Sequence, residues 1–275
     1  MSVPKSLSRW AGLSCLAALV VLGPAVAQPA VDFQPKVGQP GKDVVWVPTA
    51  DALVDKMLDM AQVTSADYVI DLGSGDGRTV IAAAKRGARA AGIEYDPAMV
   101  ELSIRNARSA GVEDRAKFEK ADLFETDFSQ ATVLTMFLLP DINLRLRPKI
   151  LDMKPGTRVV SNTFTMGEWA PDETFRSPAE CTQFCTAYFW IVPAKVDGSW
   201  KLAGGELKLE QQFQKISGTM TSNGTATPIV DGTLRGDAIT FTVGTTSYTG
   251  RVNGNVIEGT SSSGESRTAW RATRA

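Results

Sequence analysis

The sequence predicts an α/β domain on a parallel sheet, followed by a small all-β domain. From Tyr68 to Phe164, short apolar β-rich runs alternate with helical stretches, as in right-handed crossovers between parallel strands. Beyond Gly204-Gly205 the helical periodicity stops, and Gly-, Thr- and Ser-rich runs separated by turn pairs take over. The 275 residues are ordinary for a globular protein, with 29 Lys+Arg against 30 Asp+Glu and 43% hydrophobic. That balance gives no basic footprint for nucleic acid or an anionic membrane surface, so neither partner is expected. The chain contains no histidine, which removes imidazole general bases, Ser-His-Asp and Cys-His mechanisms and His-ligated metals; no metal is expected.

The first 27 residues read as a signal peptide. Lys5 and Arg9 precede an apolar run from Trp10 to Leu22, and Ala25-Val26-Ala27 supplies small residues for cleavage after Ala27. The run is about half the length that spans a bilayer, and no later segment is long enough, so no membrane span is expected after cleavage. Removal of Lys5 and Arg9 leaves a slightly acidic chain, bacterial in type, with a periplasmic or secreted destination. Cys15 leaves with the leader. The remaining pair, Cys181 and Cys185, suits an oxidising compartment, and a local disulfide is expected, two reduced thiols being the alternative.

Residues 28–43 are rich in Pro, Gly, Gln and Lys without periodicity and read as an extended lead-in to a domain over 44–204. Thr49 is the expected N-cap of a helix in which Leu53, Met57, Leu58 and Ala61 fall on one face. Strands are expected at Tyr68 to Leu72, Arg89 to Tyr95, Ala116 to Ala121, Thr132 to Leu138 and Arg158 to Phe164. Helices are expected at Thr79 to Arg86, at Pro97 to Ala110, opened by Pro97 and closed by Gly111, and at Leu144 to Met153. Thr186 to Val192, Asp197-Gly198 and Ser199 to Leu202 read as a hairpin that ends the sheet in an antiparallel edge. Residues 205–275 then form the small β domain, a meander whose turns are Asn223-Gly224, Asp231-Gly232, Gly236-Asp237 and Asn253-Gly254. Trp200, Phe213, Phe241, Tyr248 and Trp270 are the aromatic residues available to fill it.

Chemistry concentrates where the first strand meets the first crossover helix, at Asp71-Leu72-Gly73-Ser74-Gly75-Asp76-Gly77. Open α/β sheets bind ligands at the carboxyl ends of their strands, and glycines there let backbone approach the ligand. A dinucleotide fingerprint needs its third glycine three residues after Gly75, where this chain has Arg78; Gly77 comes one residue early. Asp71 ahead of the loop also suits a cationic ligand better than a pyrophosphate.

With Glu94-Tyr95-Asp96 closing the second strand and Asp122-Leu123 closing the third, the chain resembles the class I S-adenosylmethionine-dependent methyltransferases. The resemblance implies a Rossmann-like seven-stranded sheet with S-adenosyl-L-methionine as cofactor. It places the cofactor on Thr49, Asp71, Gly73, Ser74, Gly75, Gly77, Glu94, Tyr95, Asp122 and Leu123, with Glu94 on the ribose hydroxyls and Asp122 near the adenine amino group. Together with Trp46-Val47-Pro48-Thr49 and Arg78, the motif looks like the group that contains the lysine methyltransferase of the ATP-synthase c subunit. That likeness covers about residues 44 to 170 and implies N-methylation of a protein lysine, with a small-molecule acceptor or a non-catalytic binding protein as the alternatives.

The fourth strand ends in Met136-Phe137-Leu138-Leu139-Pro140, without the Asn-Pro-Pro-Tyr segment of methylases that act on nucleobases and glutamine amides. Candidates for the acceptor side are Phe137, Asp141, Asn162, Glu168 and Trp169. The competing reading is core or lid packing for Phe137 and Trp169 and a helix cap for Asp141. The leader and the cofactor pull apart, since S-adenosylmethionine is a cytosolic metabolite.

Overall fold

The computed structural model describes residues 1–2, 33–177 and 182–275, so the expected leader from residue 3 onward and Cys181 lie outside the described residues. The α/β part opens with α1 (Asp51–Met60), β1 (Tyr68–Leu72), α2 (Arg78–Lys85), β2 (Arg89–Glu94), α3 (Pro97–Ser109) and β3 (Ala116–Lys120). It continues through β4 (Val133–Met136), α4 (Pro140–Leu151), β5 (Arg158–Asn162), β6 (Glu173–Arg176) and β7 (Thr186–Ile191). These strands form one seven-stranded sheet in the order β3-β2-β1-β4-β5-β7-β6, parallel from β3 to β5, with β7 antiparallel to both β5 and β6. The chain reverses direction across the sheet between β1 and β4, the place where such sheets bind ligands.

The central strands are buried on both faces, which explains their continuous apolar runs. One face packs Leu53, Val54 and Met57 of α1, Val80 and Ala84 of α2 and Ala107 of α3; the other packs Ile142, Leu146 and Ile150 of α4 with Trp169 and Trp190. Asp96 caps α3 by accepting the Ala98 amide at 2.9 Å, with Pro97 at the first position.

Three local expectations are corrected. Thr49 does not cap α1: Ala50 is the N-cap residue, and the buried Thr49 hydroxyl instead accepts Asn162 Nδ2 at 3.1 Å. α4 starts at Pro140, four residues earlier than Leu144, because a proline's fixed φ and missing N–H suit a first turn. The antiparallel edge is β7 with the unforeseen β6, and Ser199 to Leu202 does not join it.

That segment is β8 (Gly198–Leu202), which pairs with β9 (Gly205–Gln212) and β15 (Ser266–Arg274). Between them run β10 (Lys215–Ser222), β11 (Thr225–Arg235), β12 (Ala238–Val243), β13 (Thr246–Asn253) and β14 (Val256–Ser263), and the eight strands close into a barrel. An open meander would have left two edges exposed; closure by β8 removes them. Ala203-Gly204 is the β8–β9 turn, and Gly205 opens β9 opposite Leu202. Asp231-Gly232 is no turn but a bulge inside β11, with a register shift between Val230 and Thr233 and Asp231 at φ 52°. Trp200, Leu207, Ile239 and Phe241 fill the barrel, flanked by Tyr248 and Trp270.

Phe33–Ala275 form one compact unit, and the sheet and barrel share a contact. Phe213, on the β9–β10 turn, stacks on Trp169 (centroids 6.1 Å, 15°), and Gln214 Nε2 donates to the Ala170 carbonyl at 2.7 Å. Among the described residues no helix is long and apolar enough to cross a membrane.

Candidate active site

A cleft lies over the carboxyl ends of β1, β2, β3 and β4. Its floor is the β1–α2 loop, where Gly73 (φ 76°), Gly75 (φ 54°) and Gly77 (φ 83°) all take left-handed backbone. A Cβ on Gly73 would stand 2.9 Å from Leu138 Cδ2, and one on Gly75 2.7 Å from Trp46 Nε1. Gly73 and Gly75 line the cleft. Gly77 does not: a Cβ there would meet Phe118 at 2.8 Å and Ser103 at 2.9 Å, so its smallness lets α2 pack against β3 and α3.

Glu94 is fixed from three directions. Its Oε2 accepts the Gly75 amide at 2.9 Å, and its Oε1 accepts the amides of Tyr95 (2.8 Å) and Asp96 (3.0 Å). The glycine loop and the end of β2 are thus locked together by the carboxylate that faces the cleft. Asp71 is buried, with Oδ1 accepting the Thr135 hydroxyl at 2.6 Å. Burial, reinforced by the charges of Glu94 and Asp76 and opposed by the Thr135 and Thr79 hydroxyls, pushes its carboxyl up to about 7. At the third strand end, Asp122 ion-pairs with Lys42 and accepts the Phe124 amide at 2.9 Å. These hydrogen bonds hold the Asp122 carboxyl below its ordinary range.

The lead-in proves to be part of the site. Residues 39–49 line one side of the cleft, with Lys42 Nζ 4.6 Å from the Tyr95 ring centroid. Arg78 latches this stretch to the glycine loop: Nη1 donates to the Thr49 carbonyl at 2.9 Å, while Nε and Nη2 grip Asp76 at 3.0 and 2.6 Å. The sequence offers no periodicity there, so only Trp46 to Thr49 stand out.

Of the residues expected to hold the cofactor, Thr49, Asp71, Gly73, Ser74, Gly75, Glu94, Tyr95, Asp122 and Leu123 line the one cleft. On the acceptor side only Phe137 does. Asp141 is exposed in the first turn of α4, and Glu168 is exposed too. Asn162 is buried, joining Thr49 to Thr163, and Trp169 is buried between Trp190 and Phe213. Phe164 and Phe184 line the acceptor end instead. Neither carries a motif; they reach the cleft because their strand ends are neighbours in the sheet.

Residues 71–173 match the ANTKMT methyltransferase domain. A protein-lysine N-methyltransferase of Saccharolobus islandicus (strain REY15A) is 43% identical over 136 residues, which are 48% of this chain and 84% of that protein. The chain belongs to the ANTKMT methyltransferase family. The lysine N-methyltransferase of the ATP-synthase c subunit in Mus musculus is 38% identical over 130 residues, and the chain spans 52% of its length. An RNA methyltransferase from Salinibacter ruber, solved in complex with S-adenosyl-L-homocysteine, is 47% identical, with a TM-score of 0.51 over 55% of this chain and 96% of that one. This member of the family is an S-adenosylmethionine-dependent methyltransferase, and its residues fit that cofactor. Ser74 Oγ is buried at the floor with no partner among the described residues, the loop has no space for a Cβ at Gly73 or Gly75, so its backbone is bare to the cleft, and acids stand at three successive strand ends. The family match ends at residue 173, so β7 and the whole barrel lie beyond it.

Proposed function

We propose that the chain methylates the ε-amino group of a lysine in a protein, outside the cytosol. The observation that carries the acceptor class is the division of the cleft. Its carboxylates (Asp43, Asp71, Asp76, Glu94, Asp96 and Asp122) come from the lead-in and from the β1, β2 and β3 ends, whereas the β4 end, the first turn of α4 and the neighbouring loops present Phe137, Leu138, Leu139, Ile142, Phe164 and Phe184. An apolar, aromatic acceptor end suits a lysine side chain, whose hydrocarbon stem packs against it, and a neutral amine needs no general base. The bound cofactor supplies a methyl group on a positively charged sulfur. Held by Glu94, Asp71 and the glycine loop, it would supply that methyl group to a neutral amine, whose proton would pass to solvent. The chain's residues position the reactants and exclude water: Glu94 and Asp71 fix the cofactor side, and the phenylalanines keep the other side dry.

The lysine reading agrees with the names of the Saccharolobus and mouse relatives. The name of the Salinibacter structure makes RNA the reading to exclude, and the near-neutral charge of this chain lacks the basic footprint that RNA requires. Incubation of the purified chain with methyl-labelled cofactor and an extract of its own cells separates them: label recovered as methyllysine after hydrolysis supports the proposal, and label in RNA or in small molecules contradicts it. Export rests on Lys5, Arg9, the Trp10 to Leu22 run and Ala25-Val26-Ala27. N-terminal sequencing should find Gln28 first, and an intact Met1 in the cytosolic fraction would refute export.

A further inference from the structure

The aromatic end of the cleft is assembled by three neighbouring strands. Phe137 follows β4 and Phe164 follows β5, at the carboxyl ends of two parallel strands. Phe184 precedes β7, which runs antiparallel to β5 with Ala187 opposite Asn162, so the amino end of β7 meets the carboxyl end of β5 at the same edge. The ring centroids lie 5.1 Å apart for Phe137 and Phe184, 6.1 Å for Phe137 and Phe164 and 6.3 Å for Phe164 and Phe184.

Phe184 is held there at some cost. Its φ of 56° is left-handed, which disfavours a residue with a side chain by about 1 kcal/mol. Flanking bonds hold the turn: Cys185 is disulfide-bonded and its carbonyl accepts the Ser177 amide at 2.8 Å, and the Thr186 carbonyl accepts the Thr163 amide at 2.6 Å. Phe137 and Phe164 fall within the family match, and Phe184 lies eleven residues past its end.

We propose that Phe137, Phe164 and Phe184 form the acceptor subsite, with Phe184 its selectivity-determining member, and that their ring faces take an alkylammonium such as the end of a lysine side chain and its methylated forms. This rests on the lysine reading above. Ring faces attract a cation through the aromatic quadrupole and pack against the hydrocarbon stem, without counting N–H groups. A carboxylate subsite would instead lose hydrogen bonds as methyl groups replaced hydrogens. The subsite therefore accepts mono- and dimethylated amines as readily as the unmodified one and favours repeated methylation.

The test uses the full chain saturated with S-adenosyl-L-homocysteine and two probes, the amide of Nα-acetyl-trimethyllysine and that of Nα-acetylnorleucine, titrated by NMR. The trimethyllysine probe should bind about fivefold tighter than its uncharged counterpart, the scale of a cation on aromatic faces. Phe184→Ala should remove that preference and Phe184→Tyr should keep it, with affinity for S-adenosyl-L-homocysteine unchanged in both. Equal affinity for the two probes, a preference untouched by Phe184→Ala, or tighter binding of adenosine monophosphate than of the trimethyllysine probe would overturn the assignment. Failure of the wild-type chain to bind S-adenosyl-L-homocysteine at all would remove the methyltransferase reading beneath it, a separate result.

Discussion

Glu94 joins the glycine loop to the second strand end and still faces the cleft, so its loss is felt in both places. Glu94→Ala should weaken cofactor binding by about 1–3 kcal/mol, the scale of hydrogen bonds to a charged group, as read by calorimetry. An unchanged affinity would place the ligand elsewhere. Asp71 makes a pH prediction. Its folded-state pKa of about 7 lies above the ordinary 3.8, so the protonated form stabilises the fold. That stability is complete below about pH 4 and is lost as pH rises through 7, with a slope of at most about 1.4 kcal/mol per unit. A cationic ligand needs the carboxylate, so affinity for S-adenosylmethionine, with its charged sulfur, should rise by up to about tenfold per unit from pH 5.5 to 7 and then level off. Asp71→Asn should flatten this profile relative to wild type; identical profiles would show that Asp71 does not titrate against the ligand. The sequence shows both acids because motif spacing puts them at strand ends. It does not show the three amides on Glu94 or the burial of Asp71, which depend on how the loop folds back.

The legible elements are those with strong periodicity or punctuation. Pro97 and Gly111 mark α3, and the continuous apolar runs mark the buried strands. Segments whose role is set by a distant partner are illegible: lead-in residues 39–43, β6 with its single half-buried Phe175 between exposed neighbours, and Asn162. The expectation that Asn162 serves the acceptor comes from its place at the end of β5, yet its side chain ties Thr49 to Thr163. Asn162→Ala should therefore lower the unfolding free energy by about 1–3 kcal/mol through the buried hydrogen bonds it removes, measured by urea denaturation. A large fall in kcat with unchanged stability would restore the acceptor role.

For the whole molecule, the turn pairs make the all-β character of the last third plain, but closure is hidden. β8 and β15 meet only because the chain returns to its own start, and local sequence carries no sign of that. The barrel also faces the sheet. Phe213, expected among the aromatic residues that fill the barrel, turns outward onto Trp169, which lies on the loop running from Phe164 to β6. Deleting Gly205 to Ala275 would strip β8 of both its partners and bare the Trp169 ring, so the truncated chain should aggregate rather than fold. A soluble, active truncation would show that the barrel is dispensable. Gln214→Ala is the milder test, expected to cost about 1–3 kcal/mol in urea denaturation by unpairing the Ala170 carbonyl.

The central claim is that the cleft over the β1–α2 loop holds the cofactor, and calorimetric titration of the folded chain with S-adenosyl-L-homocysteine at pH 8 tests it most directly, with Gly75→Val alongside. The expected result is saturable binding at one site in the wild-type chain and none in Gly75→Val, whose added side chain would occupy the space beside Trp46. No heat from well-folded wild-type protein, or equal binding by the two proteins, would contradict it.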